Sequence, residues 1–239
     1  MTCLPLVAML LLTGAPTADA TSIEADLAAA SRRYDAEGAV AALGRARDLD
    51  RRAPTAASAV LRARTALAAA ELLRVRFEQA VKDDSQTRTV LGQRIDAAAE
   101  EGLGLLDRLP PSSERYRIEA DLVATMIRSD FRAKKYETRF MTAVARALEL
   151  DPRNARAVLT AAKPLVFAPP EHGRDLRAAV EKLTRALELK PTLEPARLLR
   201  ALALDELGER EAALRDWRAA LAANPDCTPA RNALSRPGE

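Results

Sequence analysis

The sequence predicts an all-α protein, an irregular solenoid of about five antiparallel helix hairpins closed by a short C-terminal helix. Three observations lead there. The 239-residue chain holds 51 Ala and 31 Arg but only 3% aromatic residues, a mixture that enters a helix at little cost and offers few of the side chains that strands favour. Its apolar residues recur at offsets of 0, 1, 4, 7 and 8, which trace one stripe along a helix. Stretches of this kind end alike three times, at Ala147-Leu148-Glu149-Leu150-Asp151-Pro152, Ala186-Leu187-Glu188-Leu189-Lys190-Pro191 and Ala220-Leu221-Ala222-Ala223-Asn224-Pro225.

The first segment, residues 1–20, carries an apolar run over 4–12, then Gly14 and Pro16, and closes on Ala18-Asp19-Ala20. Small residues at the last and third-last positions suit signal peptidase, and the run falls short of the ~20 residues that span a bilayer. A signal peptide cleaved after Ala20 is therefore expected, with residues 21–239 exported to the periplasm or secreted and not inserted in a membrane. Helix pairs are expected at 22–35 with 37–51, 55–82 with 86–109, 112–131 with 134–150, 153–167 with 174–190, and 192–207 with 209–223. A capping helix follows at 228–234. Asp83-Asp84-Ser85, Pro110-Pro111-Ser112-Ser113 and Pro169-Pro170-Glu171-His172-Gly173 supply the breaks, through proline, glycine and side chains that cap helices. Each hairpin buries its stripe only against its neighbours, so 21–239 reads as one solenoid.

Aligned on the prolines, the second helix of each pair follows one template of small, large and small residues before Pro. The copies are Ala213, Trp217, Ala220, Pro225, then Ala179, Leu183, Ala186, Pro191, then Phe140, Val144, Ala147, Pro152. Upstream, Ala39, Leu43 and Ala46 fit with Arg51 in place of Pro, and Ala98, Leu105 and Pro110 fit with Gly102 in the large position. Small residues let a neighbouring helix approach, the large one fills the gap, and Pro stops the helix. The interval from Pro191 to Pro225 is 34 residues. With Leu204, Gly208 at the turn, Ala213, Trp217, Ala220 and Pro225, residues 194–225 resemble a tetratricopeptide repeat (TPR), and 153–191 resembles a second copy. Intervals of 39, 42 and 59 further upstream make the array irregular.

The resemblance implies a non-enzymatic scaffold that binds a protein or peptide in a concave groove lined by the first helix of each unit. Counted as in that family, Arg156, Leu159 and Lys163, then Leu198, Leu202 and Asp205, line the wall of the last two units. Leu198 and Leu202 stand where carboxylate-clamping grooves carry polar residues, so a helix or an extended apolar segment is the expected occupant. Five extra residues between Pro152 and Pro191 fall in the turn 167–175, where an insertion projects from one face. This insertion, the export signal and the stretch 173–189 also resemble the helical periplasmic T components of some tripartite solute transporters. That likeness implies the alternative, a small hydrophobic ligand bound by a transport accessory.

Composition narrows the chemistry. One His and two Cys cannot furnish a usual zinc or iron–sulfur centre, so no metal or cofactor is expected. The net charge is +3 with no run of five like charges, which argues against a nucleic-acid partner. Gly102-Leu103-Gly104 lies in a helical stripe with no Lys-Ser/Thr after it, and reads as a packing feature. His172 reads as a solvated loop residue, not a general base. Glu100-Glu101 and Asp83-Asp84 diverge on a helix and read as surface charge. Trp217 is expected in the core. Cys227, the one thiol remaining once Cys3 is cleaved off, reads as a small apolar residue in a C-terminal turn.

Overall fold

The computed structural model describes residues 17–81 and 84–235. Most of the expected signal peptide, with Cys3, lies outside the described residues, as does Asp83. The described residues form eleven α-helices: α1 (Ala18–Arg33), α2 (Ala36–Arg52), α3 (Ala56–Gln79), α4 (Ser85–Gly104), α5 (Ser113–Met126), α6 (Asp130–Leu150), α7 (Ala155–Phe167), α8 (Leu176–Leu189), α9 (Glu194–Glu206), α10 (Arg210–Ala223) and α11 (Thr228–Leu234). Consecutive helices pack as five antiparallel hairpins, and α11 covers the end of α10. Among the described residues the architecture is all-α, and every expected hairpin is present.

Polar residues at the breaks start the helices by satisfying free backbone N–H groups. Thr55 and Ser58 form a reciprocal capping box on α3, with the Thr55 hydroxyl accepting from the Ser58 N–H at 3.0 Å and the Ser58 hydroxyl accepting from the Thr55 N–H at 2.8 Å. Asp35, Asp84, Ser112, Ser129, Asn154 and Asp175 cap α2, α4, α5, α6, α7 and α8. Ser129 shortens α5 relative to expectation, because its extended backbone (φ −160°, ψ 162°) already belongs to the entry of α6. Gly208, at φ 79°, makes the left-handed turn between α9 and α10.

Template positions are buried as expected: Ala39, Leu43, Ala46, Phe140, Val144, Ala147, Ala179, Leu183, Ala186, Ala213, Trp217 and Ala220 all lie in the core. Gly102 takes the large position because a neighbour fills it. A Cβ there would lie 2.7 Å from Leu122 Cδ1 and 3.3 Å from Ala66 Cβ, so α3 and α5 close onto α4 at this point. The apolar interior is divided. One cluster runs through α1 to α5, a second joins α7, α8 and α9, a third joins α9, α10 and α11, and a small fourth lies between α5 and α6.

Ion pairs tie the hairpins together at their polar ends, and here one expectation is corrected. Glu101 is not surface charge: it is half-buried and accepts from Arg47 Nε at 2.9 Å and from Arg62 Nε at 2.7 Å. Burial pushes its carboxyl up, but the two guanidiniums outweigh it and hold the pKa below the ordinary value. Asp50 is buried and accepts from Arg108, Arg62 and Ser58. Asp84 is also committed, since its side chain caps α4 by accepting from the Thr87 N–H at 2.9 Å. The insertion at 167–175 stands in solvent, with Phe167, Pro169, Pro170, His172 and Gly173 exposed. Its base is pinned where the Asp175 N–H donates to the Leu165 carbonyl at 3.0 Å. Among the described residues, no helix is long and apolar enough to cross a membrane.

Candidate functional site

The first helices α1, α3, α5, α7 and α9 lie side by side in chain order and form one wall. Helix α3 is buried on nearly all its faces, so the middle of that wall is interior rather than groove. A polar network crosses it. Asp121 of α5, 3% exposed, accepts from Arg117 Nη1 at 2.5 Å, Lys163 Nζ at 2.7 Å and the Thr160 hydroxyl at 2.8 Å. Lys163 also reaches Glu71 of α3 at 3.4 Å, and Arg117 pairs with Glu114. Burial pushes the Asp121 carboxyl up, but Lys163 and Arg117 outweigh it and its pKa lies below the usual carboxylate range. Burial lowers the Lys163 ammonium, yet Asp121 and Glu71 prevail and raise it. Every member has a partner, so the network holds α3, α5 and α7 in register.

This settles where the six expected wall residues stand. Leu159 is 7% exposed and packs with Val158, Ala162 and Leu183 in the core, which corrects its expected place in the groove. Lys163 faces the wall but is committed to Asp121 and Glu71, so its charge is already neutralised within the chain. Asp205 is half-buried and accepts from Arg210 Nη1 at 3.2 Å. Arg156 is exposed and forms no ion pair among the described residues. Leu198 and Leu202 are half-buried, packed against the cluster of Trp217 and Cys227. The structure thus leaves Arg156 exposed and Leu198, Leu202, Asp205 and the paired Lys163 half-buried on α7 and α9, and withdraws Leu159.

Three residues to which the sequence assigned no role, Tyr34, Glu194 and Asn224, meet Cys227 beside this face. The Tyr34 hydroxyl, at the end of α1, donates to Glu194 Oε1 at 2.8 Å and lies 3.5 Å from Cys227 Sγ. Asn224 Nδ2 donates to the Arg32 carbonyl at 3.1 Å and to Glu194 at 3.2 Å. Burial, then the contacts with Cys227 and Glu194, push the Tyr34 phenol far above its ordinary pKa, and burial raises the Cys227 thiol. Cys227 is fully buried, which agrees with its reading as a small core residue. The first and last hairpins therefore touch, and the array turns back on itself. A clue was present in the sequence: Tyr34 is a large aromatic placed just where α1 has to end.

Two open clefts lie on the outside of hairpins, one lined by Asp26, Arg33, Asp35 and Arg45, the other by Tyr116, Glu119, Lys135 and Arg139. His172 stands exposed in its loop.

By its geometry the chain is an array of five antiparallel helix hairpins with joined ends. No family model matches it, and no curated protein matches it. Among solved structures it is similar to YrrB, described as a TPR protein with an unusual peptide-binding site, at 14% identity and a TM-score of 0.43 over 93% of this chain and 100% of that one. It is also similar to the TPR2AB domain of yeast Sti1 in complex with an Hsp90 peptide, at 16% identity and a TM-score of 0.33 over 90% of this chain and 94% of that one. At these scores the description of the fold rests on the hairpins themselves.

Proposed function

We propose that the protein is an exported, non-enzymatic scaffold that binds a protein or peptide along the α7–α9 face. The packing of α7 beside α9 carries this reading, because these two first helices offer a shared surface outside the buried middle of the wall. Leu198 and Leu202 give that surface an apolar strip, with Arg156 and Asp205 as polar neighbours, a composition suited to an amphipathic helix or an extended apolar segment. Export is part of the proposal and rests on the features of residues 1–20. Helix α1 begins at Ala18, ahead of the expected cleavage site, but its buried residues Ile23, Leu27 and Ala30 all lie after it. A chain starting at Thr21 keeps a capping-box spacing in Thr21-Ser22-Ile23-Glu24.

Affinity capture from the exported fraction of the native host tests the binding face. Wild type is compared with Leu202→Asp and with Arg156→Glu, each first matched to wild type in helix content by circular dichroism. The same partner is expected to be lost or reduced about tenfold in both, as a change of ~1.4 kcal/mol gives. Equal recovery with folded variants would sink the proposed face.

A further inference from the structure

Tyr34 stands where the two ends of the array meet, and its backbone sets it apart. It is the only non-glycine residue with positive φ among the described residues, at φ 56° and ψ 34°. This left-handed region is disfavoured for a bulky side chain, and such outliers persist where the surroundings hold them in place. The surroundings here come from both ends of the chain: the Asp35 N–H closes the turn on the Ala30 carbonyl at 2.9 Å, the side chain borders the α1–α5 cluster, and the far end supplies the rest. The Tyr34 ring packs into the cluster of Trp217, Cys227 and Ala230, which Leu198 and Leu202 also touch. Its hydroxyl is held by Glu194, and Asn224 holds the neighbouring Arg32 carbonyl. The first three hairpins share one apolar cluster through α1 to α5 and the last two share another through α7 to α9, whereas this joint rests on one aromatic ring and a few hydrogen bonds. Joints of that kind open at a lower free energy than a shared core.

We propose that Tyr34 is a latch within the chain: docked on Glu194 and Cys227, with Asn224 holding the Arg32 carbonyl, it closes the ends of the array, and its release uncovers the start of α9 and the edge of the Trp217–Cys227 cluster that Leu198 and Leu202 border. The purpose of the uncovered face rests on the proposed function, but the latch does not. In the closed state the chain's own tyrosine occupies one side of the Trp217–Cys227 cluster, so a ligand that prefers the open array has to win against it.

Cys227 reports on the latch because its thiol is fully buried against Tyr34. The test uses the chain beginning at Thr21, which lacks Cys3. Modification of Cys227 by dithiobis(nitrobenzoate) is timed across a urea series, beside helix unfolding followed by circular dichroism. At low urea, modification is expected to outpace global unfolding and to depend little on urea. Tyr34→Phe, which removes only the hydroxyl, is expected to raise that rate about tenfold with the unfolding midpoint nearly unchanged. Tyr34→Ala is expected to enlarge the radius of gyration in solution scattering. Modification that tracks global unfolding at every urea concentration would overturn the latch. So would a rate unaltered by Tyr34→Phe, which would point to fraying of α11 alone. Equal partner recovery with Leu202→Asp and Arg156→Glu in the capture experiment, with the labelling result intact, would remove the proposed function and leave the latch standing.

Discussion

Gly102 and Gly104 lie two residues apart in α4 and have opposite surroundings. A methyl group at Gly102 meets the fully buried Leu122, whereas one at Gly104 meets nothing within 4 Å. Gly102→Ala is expected to destabilise by about 1 kcal/mol, since overpacking of about 1–3 kcal/mol outweighs a helix-propensity gain near 1 kcal/mol. Gly104→Ala is expected to stabilise by up to about 1 kcal/mol, and urea unfolding of the pair checks both signs. The charges make sharper predictions. Arg108 above all, with Ser58 and Arg62, holds the Asp50 carboxyl at about 2 against the opposing effect of burial. Because the folded pKa is the lower one, its stabilisation is full above the unfolded value near 4 and is lost as pH falls toward 2. The contribution is at most about 2 kcal/mol, because Arg108 is 40% exposed and the pair is partly screened. Asp50→Asn should therefore flatten the acid limb of the stability profile between pH 4 and 2. Asp121→Ala should cost about 3–5 kcal/mol in the same assay, as it removes the buried partner that Arg117 and Lys163 share and leaves them Glu114 and Glu71 alone.

At the scale of the helix, the limits were legible because caps and breakers act locally. Pro110-Pro111-Ser112 ends one pair and starts the next whatever surrounds it, and α11 occupies the expected 228–234. Thr55→Ala is expected to cost about 1 kcal/mol by opening the capping box of α3, read as a lower thermal midpoint. The face that each helix presents was less legible. A stripe with offsets 0, 1, 4, 7 and 8 says which side is apolar, and the second helices obey it. For the first helices, counting positions from a single repeat put Leu159 in the groove, although α7 touches α5, α6, α8 and α9 and buries that side chain. Glu101 was misread for a similar reason, since Arg47 and Arg62 arrive from other helices.

At the scale of the molecule, the mature N terminus gives the simplest check: sequencing of the exported chain is expected to begin at Thr21, and an intact Met1 would refute export by this route. The hairpin array itself follows from the sequence. Ala-rich stripes, prolines and capping residues are local signals, and each hairpin needs its neighbours to bury its stripe, so a stack results from composition and spacing alone. The curvature of that stack does not. It depends on how close each pair of helices comes, and small differences at contacts such as Gly102 against Leu122 accumulate over five hairpins. Only the tertiary structure therefore decided that residues 160 positions apart, Tyr34 and Glu194, would share a hydrogen bond. It also decided that Lys163 would spend its charge on Asp121 and Glu71, because a partner chosen by packing leaves no pattern in the spacing of either residue along the chain.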